Sequence, residues 1–264
     1  MEEVKLFILG LIQGLAEFFP ISSSGHVTIY DELFSISENE QESRMLLIIV
    51  HAATALSTMV FYRSKIQEII KGLLLSRSKQ SALFVLKLIV STFPIILVYC
   101  VLYGPVKEIL NNTILACFMF VLTGFILILS SLKTKTNNDI NFFHAFLMGV
   151  AQAIAVLPGM SRSGSTISMA LFCNIDKKKA TDFSFLMALA PIIGAAIVTF
   201  LELLSGENTD SINYTGYIVA FFAAFFAGLF ACKYMIKIVQ NNNLKYFGYY
   251  CILIGVGFLV YFLS

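Results

Sequence analysis

The chain has 264 residues, of which 58% are hydrophobic and only 13% charged, with a formal net charge of +2. Soluble domains are about 45–50% apolar and about 25% charged, so a water-soluble globule is not expected, and 1–264 reads as one integral membrane domain. The basic residues are spread over short connections, which speaks against a nucleic-acid partner, and five scattered cysteines without a CxxC pair suggest neither disulfides nor a zinc site.

In chain order, Met1-Glu2-Glu3 lacks a basic leader region and runs straight into an apolar stretch, so no cleavable signal is expected. That stretch, 4 to 19, is broken at Pro20 and continues as a serine-rich segment to about 34. Proline and glycine at membrane depth free backbone groups that only protein or trapped water can satisfy, which predicts a re-entrant helix–turn–helix. Apolar runs long enough to span follow at about 45 to 62, 82 to 103 and 113 to 132. A second interrupted stretch runs from 142 to 157, breaks at Pro158-Gly159 and continues to about 173; spans then follow at 180 to 203, 213 to 235 and 246 to 263. The expected fold is therefore all-α and integral to the membrane, with six transmembrane helices and two re-entrant hairpins.

If both hairpins return to their own side, the connections 63 to 81, 133 to 141, 174 to 179 and 233 to 245 share one face, which carries thirteen Lys and Arg. The other face has Lys5, Arg44 and Lys107 beside the acidic Glu202, Glu207 and Asp210. The positive-inside rule makes the first face cytoplasmic. Sliding the chain by 139 residues aligns Gly10 with Gly149, Gln13 with Gln152, Ser22 with Ser161, Ser24 with Ser163 and Gly25 with Gly164. This points to an internal repeat with halves about 1–132 and 140–264. Each half holds one hairpin and three spans, an odd number, so the second half is inverted and the two serine turns should meet near the midplane.

The first turn reads Gln13-x-x-x-Glu17-x-x-Pro20-Ile21-Ser22-Ser23-Ser24-Gly25-His26. Gln13 and Glu17 lie on one helical face and could hold Mg²⁺ or Ca²⁺ through oxygen ligands, an incomplete shell that waters and phosphate oxygens would complete. Ser23 and His26 suit a nucleophile and a general base; alternatively the serines cap a helix and His26 fills a polar cavity. In the second turn, Pro158-Gly159-Met160-Ser161-Arg162-Ser163-Gly164-Ser165-Thr166, Ser161 to Ser163 would cap a helix and expose N–H groups around an arginine. That chemistry fits phosphate, and a buried Arg162 requires an anion: either a substrate or, internally, Glu17. His51, inside the first full span, is a further functional candidate or a buried histidine bonded to a neighbouring serine. Lys87 is expected to snorkel, and His144 to sit in the interface.

These two blocks, read in this order and spacing, resemble the undecaprenyl-diphosphate phosphatase family of bacteria, the bacitracin-resistance type: Gln13 to His26 is similar to its (E/Q)xxxE block with serine turn and histidine, and Pro158 to Thr166 to its PGxSRSxxT block. The resemblance implies hydrolysis of undecaprenyl diphosphate to the monophosphate, with a divalent cation, at a site on the outer face of the bacterial plasma membrane, and it implies roles in carrier-lipid recycling for the cell wall. By similarity Glu17, Ser23, His26 and Arg162 carry over for the reaction and the hydroxyls Ser161, Ser163 and Thr166 for the substrate; Ser22, Ser24 and Gly25 of the first turn are expected to bind substrate beside them. Gln13 stands where the family accepts Glu or Gln. A polyprenyl diphosphate and membrane lipid are the expected partners, and a homodimer is compatible with the sequence. A transporter or flippase of a phosphorylated lipid is the competing reading; it needs the arginine and the helix termini but no reactive serine.

Overall fold

The computed structural model describes residues 2–34, 40–110, 112–133, 136–205 and 214–263. The expected charges at Arg44, Lys107, Lys135, Glu202, Glu207 and Asp210 fall outside the described residues and side chains. Eleven helices and no strand occur among the described residues: α1 (Glu2–Phe18), α2 (Ser23–Phe34), α3 (Glu40–Phe61), α4 (Arg63–Leu74), α5 (Lys79–Leu110), α6 (Thr113–Ser131), α7 (Phe142–Ile154), α8 (Arg162–Phe172), α9 (Lys177–Ser205), α10 (Tyr214–Gln240) and α11 (Leu244–Leu263). Five of them, α5, α6, α9, α10 and α11, are long and apolar enough to cross a membrane.

A sixth spanning helix was expected over 45 to 62. Its apolar part, Met45–Phe61, reaches the required length and hydropathy only together with α4, across a 71° bend at Tyr62. The basic connection after it is thus not a bare loop, because Ile66, Ile69 and Ile70 recur at helical spacing within α4 and give it an apolar face.

Both interrupted stretches fold back on themselves. At the base of the first pair, Lys5 Nζ donates to the carbonyl of Phe34 at 2.8 Å, bringing the end of α2 beside the start of α1. In the second pair the Asn138 N–H donates to Asn174 O and the Asp176 N–H to Asn138 O, each at 3.0 Å, which joins the base of α7 to the end of α8. The hairpins pack on distant parts of the chain: α1 lies against α10, and α7 against α5. Glycines make these approaches close. A Cβ on Gly10 would sit 2.4 Å from Ala220 O, one on Gly14 2.5 Å from Ala224 O, and one on Gly149 2.3 Å from Ser91 O. Helices in lipid gain little from apolar burial against one another, so backbone approach through small residues carries their association.

The four basic connections are tied together at one end of the bundle. Lys65 and Lys178 reach the buried Asp182 at 3.4 and 2.9 Å, Tyr62 OH donates to the same carboxylate at 2.9 Å, Lys179 pairs with Asp139, and Lys177 donates to Gln240 O at 3.2 Å. Asp182 was not singled out in the sequence, yet its buried carboxylate holds three donors, Tyr62 and Lys65 from the bend between α3 and α4 and Lys178 from its own helix. The remaining membrane-depth cation, Lys87, donates to Ile140 O at 2.6 Å, and His144 completes a capping box with Asn141 at the start of α7.

Candidate active site

The two turns meet. Ser163 Oγ donates to Phe19 O at 3.2 Å, and a Cβ on Gly164 would sit 3.2 Å from Pro20 Cβ. Gly25 and Gly159 are in contact beneath the ring of Phe120, where a Cβ on Gly25 would come within 2.5 Å of the ring and 3.2 Å of Gly159 Cα. Gly159 has φ +80, and its Cβ would fall 2.0 Å from the carbonyl oxygen of Ala116. Only glycine fits that backbone and that gap. Gly159→Ala is therefore expected to lower stability by about 2–4 kcal/mol, whereas Gly194→Ala, with nothing within 4 Å of the added carbon, should be neutral or slightly stabilising. Thermal unfolding of the two variants in detergent checks the contrast.

Each hairpin contributes a helix N-terminus. Ser161 is the N-cap of α8, its Oγ accepting the Gly164 N–H at 3.1 Å, as the sequence suggested. Ser22 plays the matching part before α2, its Oγ accepting the Gly25 N–H at 3.3 Å. Ser22 adopts φ 65, a left-handed backbone conformation unusual for serine, while buried.

Glu17, at the end of α1, is the hub. One carboxylate oxygen, Oε1, pairs with Arg162 Nη2. The other, Oε2, accepts from Ser23 Oγ at 2.7 Å and from Gln13 Nε2 at 2.9 Å, and lies 3.8 Å from His51 Nε2. Thus the internal ion pair that the sequence left as an alternative is present, and among the described residues His51 bonds a backbone carbonyl and no serine: its Nδ1 donates to Leu47 O at 2.7 Å and the opposite nitrogen faces Glu17. The guanidinium of Arg162 also donates to Ala188 O at 3.4 Å, leaving further N–H groups of its fork for an anion. Glu17 and Arg162 line a small cavity with Phe18, Thr58, Ser163, Ser184, Phe185 and Ile192.

The expected Ser23–His26 pair is not formed. A carbonyl can only accept, so the 2.8 Å contact between His26 Nδ1 and Ser22 O fixes the proton on Nδ1. Nε2 then accepts from Tyr250 OH at 2.7 Å. Both ring nitrogens are engaged, and the group positioned to take the Ser23 proton is Glu17. The physical reason is local: three residues along a helix start turn the imidazole back onto its own N-cap carbonyl, while Glu17 reaches Ser23 from the preceding helix. Of the other expected binding residues, Ser163 and Arg162 reach the cavity; Thr166 Oγ1 is buried and bonded to Arg162 O at 2.9 Å and Ser184 Oγ at 2.6 Å, Ser161 is spent on capping, and Ser24 is exposed with its Oγ 3.5 Å from that of Ser22. These hydroxyls shape the turns. Tyr250 carries no motif and stands 224 residues from His26 in sequence, so only the fold reveals it.

For a divalent cation, no group of three or more His, Cys, Asp or Glu side chains comes together among the described residues. The oxygen Oε1 of Gln13 is, however, buried and without a hydrogen-bond partner, next to the Glu17 carboxylate. An amide oxygen beside a carboxylate is a donor set that suits a hard cation.

A family model for the bacitracin resistance protein BacA matches residues 6–257 of the chain. A protein of Christiangramia forsetii named undecaprenyl-diphosphatase is 37% identical over 264 residues, covering 99% of this chain and 98% of its own length. Proteins of the same name from Bacteroides fragilis and the archaeon Methanococcus vannielii are 38% and 36% identical, covering 98% and 96% of this chain and 98% of their own lengths in both cases.

Proposed function

The chain belongs to the bacitracin resistance protein BacA family, and from that premise we propose that it is an undecaprenyl-diphosphatase, a membrane phosphatase that hydrolyses undecaprenyl diphosphate to undecaprenyl phosphate and inorganic phosphate. The observation that carries the reading is Ser23 Oγ donating to Glu17 at 2.7 Å while the same carboxylate pairs with Arg162. A nucleophile, its proton acceptor and a phosphate-binding guanidinium share one buried site. A flippase needs the last of these and has no use for the first two.

The terminal phosphoryl group of the substrate takes up free N–H donors of Arg162 and the N-terminus of α8, which offset the charge spreading over its oxygens. Ser23 Oγ attacks the terminal phosphorus; its proton passes to Glu17, the bridging P–O bond breaks, and undecaprenyl phosphate leaves with the electron pair. Glu17 hands that proton to the departing undecaprenyl phosphate and is a carboxylate again; water then attacks the phosphoserine, its proton taken by Glu17, the Ser23 Oγ–P bond breaks, phosphate leaves, and Glu17 returns the proton to Ser23 Oγ. The site itself carries one acid and one base, so a diphosphate adds uncompensated negative charge in a low-dielectric setting. Mg²⁺ or Ca²⁺, held by Gln13 Oε1, Glu17 and phosphate oxygens, would supply the missing positive charge.

The two hairpins enter the bilayer from opposite sides as re-entrant elements, with six spans completed by the bent α3 and α4 pair, in two inverted halves of about 1–132 and 140–264. What supports this is the exchange of packing, α1 on α10 and α7 on α5, and the gathering of the basic connections at one end. That basic end faces the cytoplasm of a bacterial cell under the positive-inside rule, and the site opens to the outer face, where spent carrier lipid from cell-wall synthesis is presented. Purified protein with undecaprenyl diphosphate and Mg²⁺ in mixed micelles should release inorganic phosphate, and chelation should suppress it. Well-folded protein that releases none with the cation present would refute the enzyme reading.

A further inference from the structure

The last helix of the chain reaches into the first serine turn. Tyr250, on α11, sets its ring almost parallel to that of His26, with centroids 5.7 Å apart and planes 5° from each other, while Phe120 packs edge-to-face with the same imidazole at 5.2 Å. Its hydroxyl donates to His26 Nε2 at 2.7 Å, and His26 Nδ1 donates to Ser22 O at 2.8 Å. The imidazole is thus a strut clamped at both ends, from α11 to the carbonyl of Ser22.

That carbonyl belongs to the residue that most needs holding. Ser22 has φ 65 and is buried. A non-glycine residue in this region costs about 1–3 kcal/mol and persists only when its surroundings over-determine it. Its neighbour Ser23 must point at Glu17, and a rotation of the Ser22 peptide would swing the Ser23 backbone with it. The Ser22 carbonyl already accepts the His26 N–H at 3.2 Å, and the side chain adds a second, shorter bond to the same oxygen. Without the Tyr250 hydroxyl the ring has no partner at Nε2, so the strut is held at the Ser22 end alone and the imidazole is freer to turn away from that carbonyl.

We propose that Tyr250 is a positioning residue for the reaction: acting through His26, it holds the strained Ser22 turn and so aims the Ser23 hydroxyl at Glu17. The proposal rests on the assignment of Ser23 and Glu17 to phosphoryl transfer. It gives α11 a task in the site besides its packing against α6, and it explains why both nitrogens of His26 are taken while Ser23 is served by Glu17. Tyr250 bonds His26 and does not line the cavity of Glu17 and Arg162.

The test is Tyr250→Phe, which keeps the ring and removes one hydroxyl, read by steady-state kinetics and by ¹⁵N NMR of histidine-labelled protein in detergent. With only three histidines in the chain, His26 is assigned by comparison with His26→Gln. The expected result is a kcat about tenfold lower, the effect of one hydrogen bond, with KM little changed and the His26 Nε2 signal shifted by the loss of its hydrogen bond. Unchanged kcat, a loss confined to KM, or His26 signals identical to the parent would each overturn the proposal. Failure of the parent protein to release phosphate would instead strike the assigned reaction, and the two failures are told apart by the parent's own activity.

Discussion

Ser23→Ala should abolish phosphate release, lowering kcat by about 10³-fold or more, while the protein still folds and binds undecaprenyl diphosphate. The size follows from the role: a covalent nucleophile has no substitute, and removal of such residues leaves only what binding and electrostatic stabilisation supply. Binding should survive because Arg162 and the N-terminus of α8, which hold the phosphate in the proposed mechanism, come from the other hairpin, while the Ser23 hydroxyl is bonded to Glu17. The loss of one small hydroxyl at a partly buried helix start also costs little packing. A variant that keeps a tenth of the parent rate would remove Ser23 from the reaction, and equal loss of binding and rate would recast it as a structural residue. Lipid binding measured separately from turnover makes the distinction.

Arg162→Ala has the second largest expected effect, and it acts on both rate and stability. The guanidinium pairs with Glu17 in a site where the Glu17 side chain is 4% exposed. Removing one partner of a buried pair leaves an uncompensated charge, at a cost of about 3–5 kcal/mol. The same substitution strips the phosphate of its fork of donors, so the rate should fall by about 10²-fold or more. Glu17→Gln in the Arg162→Ala background should restore most of the stability, because the stranded carboxylate is gone, yet restore no activity, because the Ser23 proton acceptor is gone as well. Thermal unfolding and phosphate release of the two single variants and the double variant read both consequences. Additive destabilisation in the double variant would mean that the two groups do not compensate one another.

The sequence was most readable where a physical rule leaves few choices. Pro20, followed by a run of serines, and Pro158, followed by glycine, end their apolar helices, so the two breaks were legible from them, whereas Pro94 and Pro191 stay inside α5 and α9. The Ser161 cap was visible because a serine before an arginine at a helix start has a single obvious partner, the N–H at Gly164. The convergence of the two turns followed from counting spans in each half, and the common end of the basic connections from their lysines. What stayed hidden depends on distances set by packing. Nothing local tells His26 to bond Tyr250 or turns His51 toward Glu17, because those contacts arise only when α11 and α3 are docked. The competition between Glu17 and His26 for Ser23 was equally invisible, since residues three apart at a helix start and residues six apart across a break are both within reach before the backbone is fixed. Asp182, with Tyr62 and two lysines, escaped notice for a similar reason: its acidic side chain near Lys177 to Lys179 reads as an ordinary helix-start charge until the bend at Tyr62 brings the other partners to it.

The proposed mechanism also gives the two hairpins unequal tasks. In that mechanism the first turn supplies the reactive oxygen and its proton acceptor, and the second supplies the guanidinium that meets the phosphate. Because the glycines at 25 and 159 let the two backbones touch, neither half can form the site alone. The chemistry therefore depends on the docking of the hairpins.

The claim on which everything else depends is that Ser23 Oγ attacks the terminal phosphorus. Acid quench during turnover, with undecaprenyl diphosphate labelled on that phosphorus, tests it directly. Label should appear on the peptide that contains Ser23, rise within the first turnover, and be absent from Ser23→Ala. If the parent protein turns over while the label passes straight to inorganic phosphate and no peptide carries it at any time, water is the attacking group and the covalent account is wrong.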